Sequence, residues 1–384
     1  MGSGAARTGI SFYTCFRYYS VHFSTGISLR LSLFGSSHGE AVGGTLDGLP
    51  SGTRIDANEI RKWLDYRRPG SGRYTSQRKE GDEFRIVSGV SGDYTDGGPV
   101  TMMIGNSDAI PKHYDELREF PRPGHSDISQ FYKYGEFRNI AGGGFFSGRM
   151  TAPMVGLSSI ALLILNRNGI SISSYIDSMG SVVLSQGINP GPHEAYSFPS
   201  RIPDHDGDMK AQELLTKAMG EGDSLGATIT TIVRGIPPGV GEPFFDSVES
   251  HVSRLMFSIP GVKGIEFGTG FAFSARKGSE VKDEFSYEDG RIVTLANNNG
   301  GILGGITNGM PVKHRVVMKP TSSIRSTMKS VSVSSGETKE IRVSGRHDPC
   351  IAIRAVPVVQ TLTAYAILDL MVSAREPSFG LKFR

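Results

Sequence analysis

The chain has 384 residues, of which 38% are apolar and 21% are charged, and its formal net charge is +3 at pH 7. The apolar and charged shares are typical of a soluble globular protein, and so small a charge argues against a nucleic-acid polymer as the partner. Its two cysteines, Cys15 and Cys350, lie far apart and lack metal-ligand spacing. This indicates a reducing compartment and argues against a disulfide framework.

Residues 1–23 form an atypical N-terminal extension. No acidic residue precedes Glu40, whereas Arg7 and Arg17 fall within the extension, which is typical of an organelle transit segment. An expression tag or a mis-assigned start explains the same composition, and we favour these two. We therefore expect a disordered extension at residues 1–23, a single domain at 24–375, a C-terminal tail at 376–384, and a cytoplasmic protein.

The first predicted strand, residues 27–34, leads into a glycine-rich turn. The strand alternates apolar and polar residues, as strands with one buried face do. The turn at residues 35–39, GSSHG, has the Gly-x-Ser-x-Gly pattern of serine hydrolases, which requires a helix directly after it. Residues 40–52 are rich in glycine and contain a proline, so the hydrolase interpretation loses its context. His38 remains a candidate because the neighbouring glycines leave it accessible.

A helix and an arginine-rich loop follow. Asp56 with Glu59 three residues later is a capping-box pattern, which predicts a helix ending at Arg67. Four arginines lie at the end of this helix and in the Ser/Thr/Gly-rich loop after it, at positions 67, 68, 73 and 78. They indicate either a site for a multiply charged small anion or a solvated basic loop. Residues 85–103 predict two strands joined by a glycine-rich turn.

The stretch from Arg122 to Arg149 carries the strongest chemical signal. It opens with Arg-Pro-Gly-His-Ser-Asp, so a guanidinium, an imidazole and a carboxylate lie within six residues, and it closes with Gly142–Gly144, a serine and an arginine. The glycines let a ligand approach the backbone amides, and a guanidinium suits phosphate or carboxylate. The pattern predicts a site for an anionic substrate, with an ordinary surface loop as the alternative.

The second half of the chain predicts helices, strands and no metal site. A buried helix should run from residue 149 or 150 to 166; its apolar run is too short to span a bilayer. Residues 171–205 predict strands and loops on the surface. Asp204, Asp206 and Asp208 alternate as in a calcium loop, but Leu215 at the twelfth position makes helix capping the better interpretation. The remaining predicted elements are helices at 209–219, 246–258 and 356–373 and a strand at 227–234.

Two late clusters suit a flat, phosphorylated ligand. Asparagine amides at residues 297–299 can pair with a heterocycle, and the glycines at 300–305 leave room for it on the backbone. The Lys-Pro-Thr-Ser-Ser string at residues 319–323 suits phosphate, although no Walker loop precedes it. Residues 345–350 add another Arg-His-Asp trio.

Seven strings in this order resemble the chorismate synthase family: SSHG, RRPGSGR, RPGHSD, GGG followed by SGR, NNNGGILGG, KPTSS and GRHDPC. The match runs from about residue 24 to residue 373. It implies an α+β fold, a β-α-β sandwich with helices between antiparallel sheets, assembled as a homotetramer. It also implies a phosphate lyase of the shikimate pathway, which serves aromatic amino acid biosynthesis. This enzyme forms chorismate from 5-enolpyruvylshikimate 3-phosphate by anti-1,4 elimination and requires reduced FMN without net redox change.

The resemblance also implies roles by position. His38 would keep the flavin in its productive protonation state, His125 would be the general acid toward the leaving phosphate, and Asp348 would help remove the ring proton. The substrate would be held by Ser37, Arg68, Arg73, Arg122, Ser147, Arg149 and Arg346. The FMN would be held by Asn297, Asn298, Gly300, Gly301, Gly304, Lys319, Thr321, Ser322 and Ser323.

Four positions depart from the family's usual residues. Ser36, Met150 and Gln360 stand where a glutamate is usual, and Phe145 stands where an arginine is usual. The loss of a carboxylate at Ser36 and the losses of an arginine and a glutamate at Phe145 and Met150 remove charges of opposite sign. We therefore expect these losses to compensate each other. The catalytic residues are all present, so we expect a functional enzyme of a divergent branch.

Three other functions fit the sequence less well. A serine hydrolase would use Ser37 with His125 or His347, and it lacks the required helix. An RNA-binding or other non-catalytic protein would need aromatic residues among the arginines, and few are there. A flavin oxidoreductase would need a nicotinamide site, but no Gly-x-Gly-x-x-Gly follows a strand. The missing fingerprint also favours an external flavin reductant over an intrinsic NAD(P)H-dependent one.

Overall fold

A computed structural model describes residues 22–70, 72–76, 80–107, 115–184, 187–343, 348–374 and 379–384. Two five-stranded antiparallel sheets lie on either side of a layer of helices, and the main apolar core fills the space between them. The predicted α+β class and the sandwich with helices between antiparallel sheets are confirmed.

Short runs of strands are separated by single helices or groups of helices along the chain. The strands are β1 (Ser24–Thr25), β2 (Arg30–Gly35), β3 (Ala41–Asp47), β4 (Phe84–Ser88), β5 (Val90–Ser91), β6 (Tyr94–Thr95), β7 (Val100–Gly105), β8 (Ser171–Met179), β9 (Val182–Val183), β10 (Ala227–Arg234), β11 (Val262–Phe267), β12 (Phe285–Glu288), β13 (Arg291–Thr294), β14 (Ile302–Leu303), β15 (Ile306–Thr307), β16 (Val312–Met318), β17 (Met328–Val331) and β18 (Thr338–Ile341). The helices are α1 (Ala57–Arg67), α2 (Asp115–Glu119), α3 (Asp127–Tyr134), α4 (Thr151–Arg167), α5 (His205–Glu221), α6 (Val248–Met256) and α7 (Ala352–Ser373). The first sheet has the order β1-β2-β3-β7-β4 and the second β11-β16-β10-β8-β9.

Helices α4 and α7 form the centre of the sandwich. They pack against each other; α4 also packs against β3 and β7 of the first sheet, and α7 against β8 and β10 of the second. Both helices are apolar on nearly every side, as expected for helices that no solvent reaches. Residues 148–167 and 352–373 are long and apolar enough to cross a membrane by length and composition, but their most apolar stretches are 89% and 94% buried inside the fold.

Several predicted elements are confirmed by their local chemistry. The side chain of Asp56 accepts hydrogen bonds from the backbone amides of Asn58 and Glu59, at 3.0 and 3.3 Å, and so caps α1. Asp204 caps α5 by accepting from the amide of Gly207 at 2.7 Å, so capping is the correct account of the aspartate series. Within the described part of the chain, no cluster of His, Cys, Asp or Glu could hold a metal ion.

The prediction that residues 171–205 lie on the surface is wrong for β8. This strand is mostly buried because it lies inside the second sheet, between β10 and β9, with α7 packed on it. Its serines are compatible with burial because they find polar partners: the hydroxyl of Ser174 lies 2.8 Å from that of Thr231 on β10.

The N-terminal strand region is tied to the last helix. The buried carboxylate of Asp369 in α7 accepts hydrogen bonds from the amides of Ile27, Ser28 and Leu29, at 2.7–2.9 Å. Although burial favours the protonated form of Asp369, the bonds from His251 and these amides hold its pKa below the usual range. This anchor fixes the start of the first sheet on α7.

Candidate active site

Several distant parts of the chain line one cavity of about 970 Å³. Ligand sites generally have volumes of about 300–1,000 Å³, so this one is large enough for a cofactor and a small substrate together. The lining comes from the turn after β2, the end of α1 and the loop after it, residues 122–129, residues 142–151, residues 257–263, residues 318–323, Val343, and residues 348–358.

A buried carboxylate fixes the ring of His125. The Nδ1 of His125 lies 2.6 Å from Oδ1 of Asp127, and the same carboxylate accepts two bonds from the Arg122 guanidinium, at 2.7 and 2.9 Å. Burial alone would raise the pKa of Asp127, but the hydrogen bonds from Arg122 and His125 hold it well below the usual range. Asp127 therefore stays charged and occupies Nδ1, while Cε1 and Nε2 of the ring face Gly143.

The triple-glycine loop brings the two predicted catalytic histidines together. Gly142, Gly143 and Gly144 have φ values of 59°, 83° and 56°, a region that other residues rarely adopt. A Cβ at Gly142 would lie 2.0 Å from the ring of His38, and one at Gly143 would lie 3.6 Å from Cε1 of His125. The two imidazoles thus contact successive residues of one loop, and a side chain at the first position would displace His38.

A second ion cluster lies deeper, at the end of α1. Asp82 bridges two arginines: it accepts from Nη1 of Arg67 at 2.9 Å and pairs closely with Arg149. The other donors of Arg149 bind backbone and amide oxygens of Gly105 and Asn106. Burial opposes the charge on Asp82, yet the two guanidinium groups lower its pKa below the usual range. The donors of Arg149 are therefore occupied within the protein.

The loop after β16 supplies a cationic and hydroxyl-rich wall. Nζ of Lys319 donates to Oγ of Ser322 at 2.8 Å and to the carbonyl of Gly124. Burial, and then the nearby charge of Lys263, lowers the pKa of Lys319. Oγ1 of Thr321 is buried without a hydrogen-bond partner among the described residues. This wall therefore presents a hydroxyl group and an ammonium group, a combination that suits an anionic ligand.

Asp348 places a carboxylate on the same cavity. Its Oδ1 accepts from the amide of Ser76 at 2.7 Å, and its Oδ2 lies 3.7 Å from Nη1 of Arg354. Both Asp348 and Arg354 line the cavity, so a carboxyl group and a guanidinium group face it together.

The structure brings most of the predicted site residues to this cavity. The residues that line it are His38, His125, Asp348, Arg122, Ser147, Arg149, Lys319, Thr321, Ser322 and Ser323. Ser37 is fully buried beside them, with its amide bonded to the carbonyl of Gly144. Arg68 pairs with Asp65 on the outside of α1, and Arg73 lies over the ring of Tyr74; neither lines the cavity. Arg346 lies outside the described residues.

The asparagine and glycine cluster at residues 297–305 lies apart from the lining of this cavity. Asp283 binds the amides of Asn298 and Asn299 at 2.8–3.0 Å, and the side chain of Asn297 donates to the carbonyl of Pro311. Gly300 packs against the backbone of residue 268, and no atom lies near a Cβ built at Gly304. In this chain the cluster makes a tight turn, so its role in holding FMN (Asn297, Asn298, Gly300, Gly301 and Gly304) stays a prediction.

Sequence reasoning missed several residues of the site. Arg67 was predicted only as one of four arginines near an anion site, and its place on a helical face with Ile60, Trp63 and Leu64 indicates burial. The others have no comparable signal, since they reach the cavity or its arginines from distant parts of the chain: Glu80, Asp82, Asn106, Lys263 and Arg354.

Aromatic packing surrounds one departure from the family pattern. The centroid of the Phe145 ring lies 5.3 Å from the ring centroid of Phe23, 5.6 Å from that of Tyr134 and 4.7 Å from that of Phe146. Phe145 and Phe146 both line the cavity, so this part of its wall is apolar. Met150 is buried in the core.

Gln360, another of the four departures from the family's usual residues, lies away from the cavity. It is fully buried in α7, where its Nε2 donates to the carbonyls of Ile172 and Pro192 at 2.6 and 3.0 Å. Its Oε1 accepts from the hydroxyl of Tyr196 at 2.8 Å. The amide therefore connects α7 to β8 and to the loop around residue 192, and it does not line the cavity.

Comparison with known proteins gives one consistent result. A family model described as chorismate synthase matches residues 29–372. The chorismate synthases of Korarchaeum cryptofilum and Thermococcus gammatolerans are each 40% identical to this chain over 345 residues, which is 90% of this chain and 96% of each relative. A crystal structure of chorismate synthase is similar with a TM-score of 0.70 and 25% identity, covering 91% of this chain and 93% of that one.

Proposed function

The chain belongs to the chorismate synthase family, phosphate-eliminating lyases of the shikimate pathway, and from this premise we propose that the cavity at residues 122–149 is its catalytic site. Here 5-enolpyruvylshikimate 3-phosphate would lose its phosphate and a ring proton to form chorismate. The observation that carries this proposal is the placement of His125: a carboxylate fixes it, and the ring lies beside the open glycine loop in a cavity lined by cations.

We propose that His125 holds the proton for the leaving phosphate on Nε2. Asp127 occupies Nδ1 and stabilises the imidazolium, so the proton to be transferred lies on the nitrogen that faces Gly143. A charged donor at this point interacts more strongly with the departing phosphate than with the bound ester, and this differential interaction accelerates the reaction.

Reduced FMN fits the wall formed by the loop after β16. Lys319, the hydroxyls of Ser322 and Ser323, and the unpartnered Oγ1 of Thr321 suit a phosphate group, and the apolar wall at Phe145 suits a planar ring. When bound, reduced FMN would supply an electron to assist cleavage of the C–O bond and recover it afterwards, so that no net oxidation occurs.

His38 and Asp348 complete the proposed proton chemistry. The ring of His38 lies against Gly142, where it would control the protonation state of a ligand in the cavity. Asp348 has its Oδ1 held by an amide and its Oδ2 only 3.7 Å from a guanidinium, an arrangement in which a carboxylate can accept the ring proton.

We expect a cytoplasmic homotetramer that takes its reducing equivalents from an external flavin reductant. The chain has two cysteines, and Cys350 is a buried free thiol, which suits a protein of a reducing compartment that needs no disulfide. Large apolar side chains on the hairpin β12–β13 are exposed, with Phe285 at 67% and Tyr287 at 74%, and such patches are typical of interaction surfaces. Light scattering should give the mass of four chains; the mass of one chain would contradict the assembly.

The function can be tested anaerobically. The protein is mixed with 5-enolpyruvylshikimate 3-phosphate and dithionite-reduced FMN, and chorismate formation is followed by absorbance. Product formed with reduced FMN and absent with oxidised FMN would support the reaction and the cofactor together. Flavin binding without product would mean that the residues at Ser36, Phe145 and Met150 have changed the chemistry, and absence of both would contradict the proposed site.

A further inference from the structure

The cations that line the cavity differ in whether a carboxylate neutralises them. Arg67 and Arg149 share Asp82, and Oε2 of Glu80 lies 3.8 Å from Nη2 of Arg149. Arg122 binds Asp127 through two hydrogen bonds. Arg354 has Asp348 within 3.7 Å. These four guanidinium groups therefore contribute little net charge to a ligand, because each already has an anionic partner nearby.

Two lysines on the same cavity have no such partner. Among the described residues, no carboxylate lies within 4 Å of the ammonium group of Lys263 or Lys319. Lys319 donates only to uncharged oxygens, and Lys263 is exposed. The charge of Lys263 also contributes to lowering the pKa of Lys319, so each ammonium group senses the other. The uncompensated positive charge of the cavity is concentrated on this pair.

A β-bulge explains why Lys263 faces the cavity. Strand β11 pairs with β16, with Val262 opposite Met318 and Gly264 opposite Val317, and the register shifts between these two pairs. Lys263 is the extra residue. Bulges next to active sites re-aim a side chain that regular alternation would point elsewhere. Since Lys319 directly follows Met318, the bulge sets the two lysines at adjacent strand ends.

We propose that Lys263 and Lys319 form a paired ammonium clamp for a phosphate monoester dianion. Such a group carries about −1.5 to −2 charges at pH 7, which two ammonium groups balance. The unpartnered hydroxyl of Thr321 lies on the same loop and supplies a hydrogen bond. The clamp rests on the proposed function for the identity of its ligand, which is either the FMN phosphate or the 3-phosphate of the substrate.

The test compares phosphorylated ligands with their phosphate-free counterparts. Calorimetry would measure binding of FMN and riboflavin, and of 5-enolpyruvylshikimate 3-phosphate and 5-enolpyruvylshikimate, to wild type, Lys263→Met and Lys263→Arg. The Met variant should bind one of the two phosphorylated ligands about tenfold more weakly. Its phosphate-free counterpart should be unaffected, and the Arg variant should keep most of the affinity. Lys329→Met, which removes an exposed lysine of β17 outside the cavity, is the matched control.

Each outcome bears on the clamp. A selective loss for FMN assigns it to the flavin phosphate, and a selective loss for the substrate assigns it to the 3-phosphate. Unchanged binding of both by Lys263→Met, or an equal loss in Lys329→Met, would overturn the proposal. Failure of the wild type to form chorismate would contradict the catalytic function and leave the binding comparison intact, so the two failures are distinguishable.

Discussion

The turn that holds His125 and the cluster that holds Arg149 are both built on an aspartate that binds arginine. In the turn, Asp127 binds one guanidinium and one imidazole, and the imidazole keeps a nitrogen free for the cavity. In the cluster, Asp82 binds two guanidinium groups whose donors are occupied inside the protein. Similar residue types thus leave an imidazole nitrogen facing the cavity in one region and form a buried ion cluster in the other.

This difference teaches that the type of a charged residue does not decide its role. What matters is which hydrogen-bonding positions remain after the protein's own partners have been counted. We therefore expect substitutions in the turn to lower turnover and substitutions in the cluster to lower the free energy of unfolding.

Replacing the imidazole should have the largest effect. His125→Ala should lower turnover by about 10²–10⁴-fold, the usual contribution of a general acid, while FMN affinity and the unfolding midpoint change little. Steady-state kinetics and flavin titration would measure this. His205→Ala, on the exposed start of α5, is the control; near wild-type turnover in His125→Ala would remove the general-acid role.

Breaking the buried cluster should have the next largest effect, and this effect should be on the free energy of unfolding. Asp82→Asn removes the carboxylate that Arg67 and Arg149 share and leaves only Glu80, 3.8 Å from Arg149, as a counter-charge. The free energy of unfolding should therefore fall by about 3–5 kcal/mol. The surface pair Asp65–Arg68 is the control, and Asp65→Asn should cost less than about 1 kcal/mol. Equal losses in urea denaturation of the two variants would show that the cluster is not a support.

Asp82→Asn should also change how the free energy of unfolding depends on pH. The folded state lowers the pKa of Asp82, because the two arginines outweigh the effect of burial. The carboxylate therefore contributes its full stabilisation above the unfolded pKa of about 3.9, and this is lost as pH falls through the lower folded pKa. Asp82→Asn should lack that acid-dependent part.

Adding one methyl group to the glycine loop should have an intermediate effect. Gly142→Ala strains a positive φ and forces the His38 ring to move, so turnover should fall by about 10–100-fold. Gly220→Ala, at an open site in α5, should leave kinetics and stability nearly unchanged. Full activity in Gly142→Ala would mean that His38 need not hold its position.

The smallest expected effect tests Asp127 as a positioning residue. Asp127→Asn replaces the charged partner of Nδ1 with a neutral amide, so the ring of His125 is held less firmly and kcat should fall about tenfold while KM changes little. A purely structural role would lower stability without this split between kcat and KM. Unchanged kcat would contradict the role of Asp127 in fixing the ring of His125.

Local sequence patterns predicted much of this architecture. The run of β-branched residues at 227–234 coincides with β10, and the apolar segments at 149–166 and 356–373 correspond to α4 and α7. The position of β8 was missed because its serines suggest exposure, whereas their partners lie on another strand.

The site was less predictable because its charge balance depends on distant contacts. The motif at residues 122–127 showed that His125 and Arg122 were near each other. It could not show that Arg122 is bound to Asp127 rather than left for a ligand. Lys263 had no signal either, since its direction depends on a register shift between two strands.

Gln360 has a consequence for protein engineering. The resemblance described above implies glutamate as the family's usual residue here, and a stabilisation programme that followed it would make Gln360→Glu. In this chain the side-chain nitrogen donates to two carbonyl oxygens, so a carboxylate would set like partial charges against each other at a fully buried point. Position 360 is therefore one at which consensus design would work against this particular fold.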